Sequence, residues 1–197
     1  MVFDQRVGME NVGTDLAAPA DLFFLPSQGF ELFLALLQGA LKEASPQDAH
    51  GRGAQAILHC GDIVAPTTLR VLKRFNLPVH AIHGNNMGDV HVMHQLAHEP
   101  DSPVRYHGQD AVVHLAGRSI FMVHYPHYAQ GMALTGDYDI VCCGHDHRVS
   151  IRPVANVKGG TTWLVNPGTV GGVGKGPTYI LADLDSLKFD IYDVPAE

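Results

Sequence analysis

Six polar residues end short apolar runs in this chain: Asp62, Asn85, His124, His145, His147 and Asn166. Ala56-Ile57-Leu58 leads into His59-Cys60-Gly61-Asp62, and Val79-His80-Ala81-Ile82 leads into His83-Gly84-Asn85-Asn86. Ile120-Phe121-Met122-Val123 ends at His124, and Ile140-Val141-Cys142-Cys143 runs into Gly144-His145-Asp146-His147. Trp163-Leu164-Val165 is followed by Asn166-Pro167-Gly168. A mixed nitrogen and oxygen cation site uses these residue types. Asp supplies an anionic oxygen that can bridge two ions, Asn a neutral carbonyl oxygen, and His an imidazole nitrogen. In an extended segment, His145 and His147 point to one side, about 6.6 Å apart. That spacing suits one imidazole for each of two ions separated by roughly 3.5–4 Å. Each residue also has a plainer use. Asp62 can cap a helix, Asn85 can sit in a left-handed turn, and His124 can be a hydrogen-bonded core histidine. His59, His83 and His127 lie near the same edge, where single histidines more often support a site than ligate.

Five β-prone runs alternate in part with helical stretches, Thr67 to Phe75 and Met87 to Ala97, which argues an α/β fold. Ligands of open α/β sheets sit at the carboxyl ends of the strands, where the polar residues above fall. Leu22–Leu25 reads as a short strand stopped by Pro26. The apolar stripe of Phe30, Phe33, Leu34, Leu37 and Leu41 predicts a helix over Phe30 to Ala44. The Pro, Gly, Ser and Asp content of Ser45 to Ala54 predicts a loop. Thr178 to Asp183 and Lys188 to Val194 read as a closing hairpin. Gly171-Gly172-Val173-Gly174-Lys175-Gly176 is a turn rather than a phosphate loop, because Thr169 and Gly176 stand where that motif requires Gly and Ser or Thr.

Composition narrows the function classes. At 197 residues the chain makes one domain with a small appendage. An apolar content of 46% against 17% charged residues supplies a sizeable core and excludes disorder as the main state. A net charge of −7 disfavours a nucleic-acid coat role. Thirteen histidines favour metal or acid–base chemistry. Cys60, Cys142 and Cys143 cannot pair completely, which fits small buried residues in a reducing, cytoplasmic setting. No apolar run is long enough to span a membrane, and the first twenty residues hold no secretory h-region.

Gly61-Asp62, Gly84-Asn85, His124 and Gly144-His145-Asp146-His147, in that order, resemble the calcineurin-like metallophosphoesterases. His59-Cys60-Gly61-Asp62-Ile63-Val64, Gly84-Asn85-Asn86 and Asn166-Pro167-Gly168 look like their small single-domain bacterial and archaeal phosphodiesterase branch. The resemblance implies a four-layer α/β/β/α sandwich over residues 22–197, with residues 1–21 a divergent N-terminal segment. It implies a metal-dependent phosphodiesterase or phosphatase acting on a small phosphoester. Asp62 would bridge two ions, Asn85, His124 and His145 would complete the second ion's site, and His147 would serve the first. Asp62, Asn85 and His124 would then be the catalytic set, while Asn86, His127, Asn166 and Gly168 would shape the substrate pocket. The implied cofactor is a divalent ion, Mn²⁺ before Ni²⁺, Zn²⁺ or Fe, and the family often forms homodimers.

The family opens with a strand ending in Asp-x-His-Gly, whose Asp and His hold the first ion. Aligned on Leu22–Leu25, Pro26 and Gln28 stand in those places. Asp15, Asp21 and Glu31 have no spacing that makes them substitutes. Met87 replaces a frequent Asp, and Asn86 stands where other branches carry a catalytic His. The expectation is one firmly held ion and a second weak or absent one. The competing function is a catalytically impaired scaffold or single-metal binding protein on the same fold.

Overall fold

The computed structural model describes residues 33–37 and 44–194. Two sheets carry the chain. The first contains β1 (Phe33–Leu37), β2 (Ala54–His59), β3 (Val79–Ala81), β4 (Val104–Tyr106), β10 (Thr178–Asp183) and β11 (Lys188–Asp193). Its order is β11-β10-β1-β2-β3-β4, with β1 to β4 parallel, β10 antiparallel to β1, and β11 antiparallel to β10. The second contains β5 (Asp110–Leu115), β6 (Arg118–Val123), β7 (Ile140–Cys142), β8 (Val149–Ala155) and β9 (Thr161–Pro167). Its order is β5-β6-β7-β9-β8, with a parallel centre of β6, β7 and β9. Four helices complete the described chain: α1 (Ala44–Gly51), α2 (Pro66–Lys73), α3 (Val90–Ala97) and α4 (Pro126–Thr135).

Period-two alternation places the core. In β2, Ile57 joins Leu69, Leu72, Met93 and Leu96 beneath α2 and α3. Its neighbours Ala56 and Leu58 turn the other way and meet Ile120, Met122, Ile140, Cys142 and Val165 of the second sheet. Phe121, Val123, Val141 and Leu164 face outward again and are covered by Ala129 and Ala133 of α4. Helix, sheet, sheet and helix therefore stack as four layers, as the resemblance implies. The central strands β2, β6 and β7 are apolar on both faces because both faces are covered. Cys60, Cys142 and Cys143 are free thiols buried within this packing.

Three local expectations need correction. The helix expected over Phe30–Ala44 is, in its described part, strand β1, paired parallel with β2 and antiparallel with β10. Five consecutive apolar residues fit a helix face and a strand covered on both sides equally well, and neighbours decide between them. The loop expected over Ser45–Ala54 begins instead with α1, and only its end forms the turn into β2. His145 and His147 are not extended: both have left-handed backbones, at φ 73° and 57°. Leu22–Leu25, Pro26, Gln28, Asp15, Asp21, Glu31 and the boundary at residues 21/22 lie outside the described residues.

At the β3–β4 edge, His80 Nδ1 and His107 Nε2 lie 2.9 Å apart and share one hydrogen bond between nearly coplanar rings. Burial, His107 and Arg105 push the His80 pKa down to about 4, and burial and Arg105 lower that of His107. The unfolded chain takes up the His80 proton near pH 6.5 and the folded chain resists it. Stability from this pair is complete above pH 6.5 and drains away as the pH falls toward 4, by about 2–3 kcal/mol. Urea unfolding at pH 7 and pH 4.5 checks this, and His80→Gln should flatten the difference. Equal losses in both proteins would refute the assignment.

Candidate metal centre

The carboxyl ends of β2, β3, β6 and β7 meet at one edge of the sandwich. Gly61 (φ 101°) and Asp62 (φ 60°) turn the chain sharply after β2, and the Asp62 side chain folds back beneath the loop after β3. Its Oδ1 accepts a hydrogen bond from the Asn86 backbone N–H at 2.9 Å. His124 ends β6, buried, with its Nε2 3.4 Å from Asp62 Oδ1. Asn85 Oδ1 lies 3.0 Å from His124 Nε2 and 2.8 Å from His145 Nδ1. Asp62 and His124 form the buried floor of this cradle, and Asn85 and His145 its exposed lip.

The proton positions follow from the partners. A carbonyl only accepts, so His124 Nδ1–H donates to Cys60 O at 2.8 Å. Burial lowers the His124 pKa; the Cys60 hydrogen bond and Asp62 raise it, and His145 and His147 lower it further. The ring is therefore neutral near pH 7, and Nε2 presents a lone pair. That lone pair faces Asn85 Oδ1 and Asp62 Oδ1, two further acceptors. Acceptors repel one another unless a cation or a proton lies between them. Donors about 2.0–2.2 Å from a common ion lie roughly 2.8–3.6 Å apart. The observed 2.8, 3.0 and 3.4 Å fall in that range. Without an ion, Asn85 satisfies the same rings by turning its amide to donate from Nδ2.

The cradle is nonetheless thin. Among the described residues, no three His, Cys, Asp or Glu side chains gather into a group able to hold a metal ion. Asp62 and His124 form a pair, and His145 reaches it through the neutral Asn85 amide. His147 turns away, its Nδ1–H donating to Val173 O at 2.9 Å. Among the described residues, Asp62, Asn85, His124 and His145 thus offer one carboxylate, one amide and two imidazoles without gathering into a closed metal-holding group.

One string with the family's opening spelling, Asp48-Ala49-His50-Gly51, lies inside α1, where a loop was expected. It follows β1 by ten residues instead of ending it. The Asp48 carboxylate is occupied by Tyr179 Oη–H at 2.5 Å and Arg52 Nε–H at 2.8 Å. These hydrogen bonds hold its pKa below the usual carboxylate range. His50 packs edge-on against Phe75. The string thus braces α1 and makes no contact with the cradle. The residues directly after β1, Gln38-Gly39-Ala40-Leu41-Lys42, contain neither Asp nor His.

The remaining residues divide into those that hold the loops and those that line the opening. Asn166 is buried and donates from Nδ2 to Gly144 O (2.9 Å) and Asp146 Oδ1 (2.8 Å), while its Oδ1 accepts Gly168 N–H (3.0 Å). It pins the segment that carries His145. Gly168 (φ 78°) allows this turn, since a Cβ there would lie 2.3 Å from Thr178 Oγ1. Asn86 exposes its side chain beside the cradle, and His127 is exposed in the first turn of α4. Removing the Asn166 amide leaves the buried Gly168 N–H without its acceptor, while Gly144 O and Asp146 Oδ1 each keep one other donor, the backbone N–H of Asp146 and of Arg148. Asn166→Ala should therefore cost about 1–3 kcal/mol and roughly 2–12 °C in Tm. Thermal unfolding measures this loss, and hydrogen exchange over residues 144–148 should speed up with it.

Comparison with known proteins agrees with this architecture. The profile of the calcineurin-like phosphoesterase superfamily domain matches residues 38–187. No curated protein matches the sequence. Among solved structures, an archaeal phosphodiesterase superposes with a TM-score of 0.70 at 19% identity, covering 82% of this chain and 99% of its own. Vps29 of Entamoeba histolytica complexed with Zn²⁺ gives 0.55 at 14% identity, covering 83% and 100%. The phosphoesterase Yfce of E. coli gives 0.55 at 18% identity, with the same coverage. At these identities the structural likeness establishes the fold alone. Among the described residues, no helix is long and apolar enough to cross a membrane.

Proposed function

The chain belongs to the calcineurin-like phosphoesterase superfamily, and from that premise we propose a catalytically impaired member that binds a phosphoester through one divalent cation. The observation that carries this reading is the thin cradle. Among the described residues there is no group of three His, Cys, Asp or Glu to hold an ion, yet Asn85 Oδ1 lies within 3.0 Å of both His124 Nε2 and His145 Nδ1, and Asp62 Oδ1 lies 3.4 Å from His124 Nε2. A cation there, Mn²⁺ before Ni²⁺, Zn²⁺ or Fe, would supply positive charge to the oxygens of a phosphate group. Asp62 would provide the anionic ligand and His124 the neutral imidazole. His124 is oriented by its bond to Cys60 O, as ligating histidines usually are by a carbonyl or carboxylate.

Turnover needs more than this. Two-ion phosphoester hydrolysis clamps the attacking and the leaving oxygen together. Here the ion that the resemblance assigns to His147 is short of ligands among the described residues, because His147 is held by Val173 O and Asp62 already serves the other ion. Asn86 cannot donate a proton to a leaving group as an imidazolium would. Elemental analysis after Mn²⁺ loading tests the reading, with one ion per chain expected. Hydrolysis of a chromogenic phosphodiester should not exceed that of an Asp62→Ala, His145→Ala double variant. Two ions per chain with turnover well above that control would restore the hydrolase reading. No ion at all would leave a scaffold.

A further inference from the structure

Among the described residues, the two sheets end on β11, β4, β8 and β5. An edge strand offers a row of backbone N–H and C=O groups to any chain that can pair with it, and soluble proteins normally blunt it. Three of these edges are blunted. β4 is three residues long. β8 carries Pro153, which lacks an N–H, beside the exposed Arg152. β11 carries Lys188, ion-paired with Asp190 at 3.1 Å. β5 has none of these devices, running for six residues, Asp110–Leu115, without Pro, Lys or Arg. Its alternation is regular. Ala111 and Val113 are buried in the layer between the sheets, whereas Asp110, Val112 and His114 are exposed on the opposite face. On that face α4 packs over β6, β7, β8 and β9, and Val112 is left 47% exposed.

We infer that β5 is the contact strand of a symmetric dimer, pairing antiparallel with β5 of a second copy about a two-fold axis at Val112. The sequence around Val112 is self-complementary. Residues equidistant from the axis stand opposite each other, so Val112 meets its own copy, and Asp110 meets His114 of the second chain. Opposite Cβ atoms in such a pair lie about 4.5–5.5 Å apart, which lets the carboxylate accept a hydrogen bond from the imidazole N–H. The two-fold makes that bond twice, and an imidazole supplies an N–H whether neutral or charged. Moving the axis to Ala111 or Val113 sets Asp110 or His114 opposite Val112, and neither bond forms. The interface is isologous and closed, and Pro153 on β8 keeps the joined sheet from growing further. Association uses none of the cradle residues, so it stands apart from the cation reading.

Sedimentation velocity of the full chain from about 1 to 100 μM tests this, with dimer expected to dominate at the upper end. Val112→Lys sets two ammonium groups against each other on the axis and should raise the dimer dissociation constant by about 10-fold or more. His114→Asp faces each Asp110 with a second carboxylate and should weaken the dimer likewise. Adding Asp110→His to His114→Asp returns one carboxylate and one imidazole to each pair, and should recover most of the wild-type affinity. Near-ultraviolet circular dichroism confirms that the variants are folded, as substitution at exposed positions permits. A wild-type chain that stays monomeric at about 100 μM overturns the proposal and leaves β5 to an extended segment of another protein. A dimer that withstands Val112→Lys overturns it too, since the contact then lies elsewhere. So does a double variant as weak as His114→Asp alone, since Asp110 and His114 are then not opposed.

Discussion

Asp62→Ala is expected to lower Mn²⁺ affinity by at least about 100-fold, because even partners one step removed from a metal ligand cost 10–100-fold when lost. Asp62 is the only carboxylate among the four converging side chains. Without it the cradle consists of neutral imidazoles and an amide, which do little to offset the desolvation of a divalent ion. The effect on folding should be smaller. The Asn86 N–H loses its acceptor, at about 1–2 kcal/mol, and the apolar layers are untouched. The left-handed backbone at residue 62 (φ 60°) suits Asp better than Ala and adds a little to that cost. The comparison variant is His147→Ala, whose ring is engaged by Val173 O and whose loss should change affinity by no more than about twofold. Isothermal titration of both variants against wild type provides the measurement. A similar loss in the two would mean that His147 swings into the site, and the single-cation reading would then have to be given up.

The contrast between these two histidines marks where sequence reasoning stops. Runs such as Ala56-Ile57-Leu58 and Ile140-Val141-Cys142 are legible because a strand covered on both faces must be apolar on both, and the polar residue beyond such a run lies at a sheet edge. Order along the chain then brings Asp62, Asn85 and His124 to one edge. The direction of a side chain beyond the strand depends on turn dihedrals. An extended Gly144–His147 segment would aim both imidazoles one way, and the left-handed residues at 145 and 147 separate them. Asn166, from another strand, stabilises that turn through Gly144 O and Asp146, and local spacing carries no trace of it. The strand β1, where the apolar stripe predicts a helix, differs for a related reason. Phe33–Leu37 contains no polar residue to fix a period, so only its pairing with β2 and β10 distinguishes strand from helix. Directly after β1 the sequence reads Gln38-Gly39-Ala40-Leu41-Lys42-Glu43, which does not spell Asp-x-His-Gly.

Gly84→Ala should damage the site more broadly than any ligand substitution. A Cβ at residue 84 would lie 2.4 Å from Asp62 Oδ1, 2.7 Å from His124 Cε1 and 2.8 Å from the Asp62 backbone nitrogen. None of the three can give way cheaply. Asp62 is held by Asn86 N–H, His124 is held by Cys60 O, and the backbone belongs to the turn after β2. The loop after β3 must then lift, moving Asn85 away from both imidazoles. Overpacking of this kind costs about 1–3 kcal/mol, or roughly 2–12 °C in Tm for a chain of this length. Cation binding should fall below detection, since Asn85 and Asp62 are displaced together. Gly131→Ala, in the middle of α4 with nothing within 4 Å of the new methyl group, is the matched control. It should leave binding intact and raise stability by about 0.5–1 kcal/mol, the ordinary gain of Ala over Gly within a helix. If Gly84→Ala bound Mn²⁺ as wild type does, the close approach of the two loops could not be what shapes the cradle. Asp62 and Asn85 would then have to reach the ion from separate, independently mobile segments.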